Sequence, residues 1–351
     1  MRKSVRFSIF CALFAGFAFS VNDIAIKYFT ESMPLHEVVL FRAIIALVFT
    51  LAIFLPFEGG FKALRTRRPL LHISGGFCLV LANLCFFSAL ATIQLASASA
   101  IFFVAPLLIT ALSALFLKEK VGVRRWSALV VGLVGVLLII KPGSINFEWA
   151  ILLPLIAALA YSLKNILTRK MGLTEAAVTM SFYLHLTFIV ACALMGLLFG
   201  DGNLNISDDP AMQFIFRAWV MPSHEMILII FIAGISSAFG GYFISQAYRH
   251  SSASLVAPFE YSTLPLAVFW GYFLWNEFPD LFSSLGIILI LLSGIFVAFR
   301  EGKLETGKEE NWAYEDITGR GWNKAGKEWV RQWECARNAE RKTDGRDGNR
   351  G

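Results

Sequence analysis

Ala18-Phe19-Ser20-Val21-Asn22-Asp23-Ile24 returns 142 residues later as Ala160-Tyr161-Ser162-Leu163-Lys164-Asn165-Ile166. At an offset near 158, Gly76 falls on Gly234 and Ala89 on Ala247, while the pair Pro106 and Glu119 falls on Pro265 and Glu277. Self-similarity at such a period reads as two copies of one structural unit. The copies are strongly apolar. Of the 351 residues 57% are hydrophobic and 16% charged, with a mean hydropathy of +0.64, which excludes an ordinary water-soluble domain of this length.

A bilayer core of roughly 30 Å takes about 20 helical residues, because each rises 1.5 Å and every backbone polar group must be satisfied within the segment. Ten segments meet this, near 7–29, 36–57, 71–91, 96–117, 126–141, 148–168, 175–199, 224–248, 251–275 and 280–300. The expected fold is therefore an all-α polytopic membrane protein of ten transmembrane helices. Residues 1–147 form the first five-helix repeat, 148–300 the second, and 301–351 a polar tail. Five is odd, so the second repeat lies inverted relative to the first.

Lys and Arg are retained on the cytoplasmic side of a membrane. They collect at Arg2, Lys3 and Arg6, at Lys62, Arg65, Arg67 and Arg68, at Lys118, Lys120, Arg124 and Arg125, at Arg169 and Lys170, and at Arg249. The alternate loops hold little beyond Lys141 and Arg217. Both termini are thus expected in the cytoplasm, with the loop of Asp201, Asp208 and Asp209 outside. The opening MRKSVR before an apolar run also fits a cleaved signal peptide, a reading opposed by the repeat, which needs this segment as a helix.

The tail holds 11 of the 31 basic and 11 of the 25 acidic residues, so the net charge of +6 belongs to the apolar body and gives no footprint for nucleic acid. In the tail, Trp322, Trp329 and Trp333 share a helical face, which suits either an interfacial helix or a disordered appendage. Five cysteines (Cys11, Cys78, Cys85, Cys192 and Cys335) suggest neither a disulfide framework nor a zinc site. HExxH, GxSxG and nucleotide-loop motifs are absent from the sequence, and the histidines are scattered at 36, 72, 185, 224 and 250. Neither an enzyme with a cofactor or metal nor an ATP-driven pump is indicated; an intramembrane lipid-modifying enzyme is the non-transport rival.

The run from Ala98 through Pro106 to Glu119, and Ala257-Pro258-Phe259-Glu260-Tyr261 leading to Asn276-Glu277, together with the five-plus-five repeat, resemble the ten-helix EamA branch of the drug/metabolite transporter superfamily. The resemblance covers about residues 5–300. It implies a transporter in which spans 1–4 and 6–9 surround a central cavity while spans 5 and 10 pack outside. Many members carry Gly before the closing glutamate, where this chain has Lys118 and Asn276, so differently shaped turns are expected. The family pattern lacks both the loop 200–223 and the tail.

Ionisable side chains at mid-membrane are costly and normally face a cavity or a partner. Glu260, about 13 Å from the inner end of span 9 with no basic residue within a turn, is expected to bind a substrate ammonium or exchange a proton; the alternative is a hydrogen-bonded acid that pins two helices. Arg42, roughly 9 Å deep in span 2, is expected to meet either a substrate carboxylate or Asp23. Asp23 and Lys27, four apart, make either a local ion pair or part of an outer gate. Lys164 and Asn165 are inner-gate candidates, with snorkelling the alternative for the lysine. Asn83, Gln246, Phe102, Tyr161 and Tyr261 complete the expected binding site, the aromatics offering a face to a cation or ring.

The expected substrate is a zwitterionic, amino-acid-like metabolite, carried by alternating access. A quaternary or sulfonium cation, or a flat vitamin, is the second class. Expected partners are that metabolite and membrane lipids, with a monomer or homodimer in a bacterial inner membrane.

Overall fold

A computed structural model describes residues 2–66, 68–117, 123–140, 149–171, 175–251, 256, 259–293 and 295–296. The tail, with its three tryptophans, lies outside the described residues, as do Lys118, Glu119, Lys120, Lys141, Ser252, Ala253, Ser254, Ala257 and Pro258.

Helices account for every regular element among the described residues. In chain order they are α1 (Arg2–Tyr28), α2 (Leu35–Phe49), α3 (Pro69–Ala89), α4 (Leu95–Phe102), α5 (Ala105–Leu117), α6 (Val123–Ile140), α7 (Leu153–Met171), α8 (Ala177–Phe199), α9 (Pro210–Phe216), α10 (His224–His250), α11 (Thr263–Trp275) and α12 (Leu281–Ser293). Seven helical stretches are long and apolar enough to cross a membrane, and Trp126–Ile140, Thr263–Trp275 and Leu281–Ser293 are shorter apolar helices. The π turn Thr50–Phe54 carries α2 on into Leu55–Phe57, where Pro56 has no N–H to return to the helix.

Proline marks the other interruptions. Fourth-span α4 stops at Phe102 and α5 starts at Ala105, just before Pro106. Farther along the chain a turn at Tyr261–Ser262 follows Glu260, and α11 begins two residues before Pro265. Such breaks free carbonyls, which are tolerated at membrane depth where protein or a cavity receives them. Asn276 ends α11 at φ 53°, the left-handed conformation that glycine usually supplies, with its N–H on Tyr272 O at 3.0 Å. Asparagine here takes a backbone geometry that glycine usually supplies.

Helices of the first half of the chain pair mainly with helices of the second half. α1 runs along α10, α3 along α7, and α2 along α8 and α10. Glycine makes two of these approaches possible. A Cβ on Gly240 of α10 would stand 2.7 Å from the Phe19 ring of α1, and one on Gly135 of α6 would stand 2.8 Å from Gly286 O of α12.

The loop between α8 and α10 is anchored at its middle. Asp209 caps the short α9, accepting from Ala211 N at 2.9 Å and Met212 N at 3.1 Å. Phe214 is fully buried in the main core. Beyond it, Arg217 Nη1 donates to Thr30 O at 3.3 Å, Trp219 Nε1 to His36 Nε2 at 2.6 Å, and Val220 N to Glu37 Oε2 at 3.1 Å. A segment added to the repeat pattern thus clasps the turn between α1 and α2.

Candidate functional site

Polar groups from several helices meet around a cavity of about 150 Å³. Its described lining comes from α1, α2, α3, α4, α7, α8, α10, Glu260 and α11, and none of it from α6 or α12. Four charged residues face it: Asp23, Arg42, Lys164 and Glu260. Asn83, Phe102 and Tyr161 also line it.

Arg42 forms one polar group. It is 3% exposed, and its Nη1 donates to Asn22 Oδ1 at 2.9 Å while Nη2 donates to Asn83 Oδ1 at 3.1 Å. The amide of Asn83 is itself fixed by Nδ2 on Leu79 O at 3.2 Å. Phe87 and Phe188 rings lie 5.8 and 5.4 Å from the guanidinium carbon. Nε has no protein partner. Arg42 is thus hydrogen-bonded to two neutral amides, with the Asp23 carboxylate close enough to act on its charge. Asp23 joins through Asn22, whose Nδ2 donates to Asp23 Oδ1 at 3.2 Å.

Glu260 forms the other. Tyr161 donates its hydroxyl to Oε2 at 3.0 Å, Tyr248 donates to Oε1, and the charge of Lys164 faces the same carboxylate. The carboxylate is therefore not isolated, as its own helix suggested, but oriented by α7 and α10. Thr263 Oγ1 donates to Glu260 O at 2.7 Å, occupying a carbonyl at the helix break. Lys164 is 6% exposed; its Nζ donates to Asn165 Oδ1 at 3.3 Å and stands 5.7 Å from the centre of the Tyr161 ring. It does not snorkel to an interface.

The remaining expected site residues lie off the cavity lining. Tyr261 is buried with its ring 5.8 Å from that of Phe103. Asn165 is buried beside Lys164. Gln246 donates to Tyr242 Oη at 2.7 Å and to Glu58 Oε1. Lys27 is paired not with Asp23 but with Glu277, Nζ to Oε2 at 2.5 Å, beneath the Trp275 ring at 4.8 Å.

Contacts of this kind tie neighbouring helices together near their ends. Lys27 ties α1 to the turn after α11, and Glu277 also accepts from Leu95 N at 3.4 Å. Glu58 accepts from Tyr242 Oη at 2.8 Å and Val178 N at 3.3 Å, with Arg249 Nη1 at 3.9 Å. Beside it Glu175 accepts from Thr66 Oγ1 at 2.9 Å and lies 3.8 Å from His72 Nε2. Glu58, Glu175 and Tyr248 escaped the sequence reading because each stands near a span end, where polar residues are ordinary. Only their partners from distant helices mark them.

A cavity ringed by apolar helices, with helix breaks at its wall, suits a transporter. The model of the EamA-like transporter family matches residues 6–141 and again 148–299. The chain belongs to the EamA-like transporter family. It is 28% identical over 294 residues to an S-adenosylmethionine uptake transporter of Rickettsia prowazekii, covering 83% of this chain and 92% of that one. An uncharacterized transporter of Helicobacter pylori is 32% identical over 308 residues, covering 85% and 96%. A riboflavin transporter of Vibrio cholerae is 29% identical over 305 residues, covering 86% and 95%. A solved crystal structure superposes with a TM-score of 0.62 at 18% identity, over 85% of this chain and 98% of that one, a likeness of fold alone. This EamA-like protein is a multi-pass membrane transporter, and the bacterial inner membrane expected from its sequence agrees with its bacterial relatives.

Proposed function

We propose that this EamA-like transporter carries an amino-acid-like zwitterion by alternating access, with Arg42 toward the substrate carboxylate and Glu260 toward its ammonium. Support comes chiefly from the way Arg42 is held on the cavity wall, its hydrogen bonds going to two amides and not to a carboxylate. A guanidinium so arranged retains its attraction for an anion. The proposal includes ten spans in two inverted repeats, both termini in the cytoplasm, and Asp23, Lys27, Lys164 and Asn165 as groups whose contacts change as the halves rock.

S-adenosylmethionine, the named cargo of one relative, carries an α-amino carboxylate, a sulfonium and a flat adenine ring, and so would use both charged groups and the aromatic wall. A second reading, a flat vitamin or simple cation, draws on that wall (Phe19, Phe86, Phe102, Phe103, Tyr161 and Phe188) and on the relative named for riboflavin. A thermal-unfolding screen of purified protein against metabolites separates them. A ligand at 100 times its dissociation constant adds about 2.7 kcal/mol to the native state. Zwitterionic ligands should stabilise the wild type and lose their effect in Arg42→Gln; stabilisation by riboflavin or simple cations alone, unaltered by that substitution, would favour the second reading.

A further inference from the structure

Charge at the cavity balances before any substrate enters: Asp23 and Glu260 against Arg42 and Lys164. An arriving ammonium at Glu260 would leave one cation too many. Lys164 is placed to yield. Besides the main cavity it lines a second one of about 20 Å³, shared with His72, Thr168 and Ser245, and Leu184 also borders both. Toward Glu260 it stands over the ring of Tyr161, whose hydroxyl donates to Glu260 Oε2. A lysine ammonium on a four-carbon stem moves between two such positions by bond rotations alone.

We propose that Lys164 is a tethered counter-cation: it neutralises Glu260 while the cavity is empty and withdraws toward the second cavity when a substrate ammonium takes its place. This rests on the transport reading above. Its consequence is kinetic. A carrier that must return empty cannot leave a buried carboxylate without a partner, since stripping water from an unpaired charge is costly. With Lys164 as substitute the empty carrier can reorient, and net transport becomes possible besides one-for-one exchange. Removing the lysine then has an unusual signature: an ammonium-bearing ligand loses its tethered competitor and binds more tightly, while the return of the empty carrier slows.

Two measurements test this. The first needs no ligand: thermal unfolding of wild type, Lys164→Gln, Glu260→Gln and the double variant. Lys164→Gln should lower Tm, and adding Glu260→Gln should restore most of the loss; losses that simply add would overturn the pairing. The second compares, in proteoliposomes, net uptake of tritiated S-adenosylmethionine into empty vesicles with exchange against the unlabelled compound inside. In Lys164→Gln the ratio of exchange to net uptake should rise at least ten-fold, and Lys164→Arg should bring it back. An unchanged ratio, with both fluxes falling together, would overturn the counter-cation role. Wild-type vesicles that show neither flux would count against the transport reading for this probe, and the ligand-free cycle would still decide the pairing.

Discussion

Arg42→Gln removes a charge whose hydrogen bonds within the protein go to neutral amides. The side chain lines the cavity and bonds Asn22 and Asn83 at 2.9 and 3.1 Å. Glutamine occupies part of the same volume and offers its own amide to those acceptors, so the fold should lose little beyond the net worth of two hydrogen bonds, about 0.5–1.5 kcal/mol each. The substrate carboxylate loses more. A hydrogen bond to a charged group is worth about 1.5–3 kcal/mol, or roughly a 10- to 150-fold change in dissociation constant. Titration calorimetry in detergent with S-adenosylmethionine and its decarboxylated analogue isolates that interaction. Wild type should prefer the carboxylated ligand by this factor, and Arg42→Gln should bind both nearly alike. Equal weakening of both ligands would refute the assignment and make Arg42 a structural residue.

Asn83→Asp places a carboxylate where Arg42 Nη2 now meets a neutral amide, so the preference for a carboxylated ligand should collapse in the same calorimetric pair, whereas Asn83→Gln should keep part of it. Glu277→Gln strands the buried Lys27 ammonium; because the Glu277 side chain is 26% exposed, the loss should be nearer ~1–2 kcal/mol than the ~3–5 kcal/mol of a fully buried pair, and the exchanged pair Lys27→Glu with Glu277→Lys should recover part of the Tm. Phe214→Ala empties a fully buried site and should cost about 3–5 kcal/mol in unfolding if the loop unfolds with the bundle, or expose 200–223 to limited proteolysis at little cost in Tm if it opens alone. Gly240→Leu drives a side chain into the Phe19 ring and should lower stability by about 1–3 kcal/mol, with Phe19→Ala as a partial rescue.

Most of the helical plan was legible because membrane solvent leaves a chain few options. Length and polarity of each apolar run report directly on the element, although the breaks near Pro106 and Pro265 lie inside runs that read as continuous spans. Arg42, Glu260 and Lys164 were visible for the same reason: a charge inside an apolar run must be explained. Their partners were not. Lys27 and Asp23 look like an ion pair along one helix, yet Glu277 meets the lysine from 250 residues away, and no period in the sequence encodes that meeting. Gln246 looks buried and polar, and its contacts run to Glu58 and Tyr242, off the cavity lining. The clasp of residues 209–220 was equally hidden, because hydrogen bonds from Trp219 and Val220 to His36 and Glu37 need a folded loop before they exist.

Counterflow in proteoliposomes bears most directly on the claim that Arg42 and Glu260 serve one amino-acid-like zwitterion. Vesicles loaded with unlabelled S-adenosylmethionine or with single amino acids would receive the labelled compound outside, with wild type and the Arg42→Gln and Glu260→Gln variants side by side. The account predicts saturable, trans-stimulated entry of a carboxylated, ammonium-bearing solute that falls at least ten-fold in each variant. Saturable entry confined to solutes without a carboxylate, or entry equal in wild type and both variants, would contradict it.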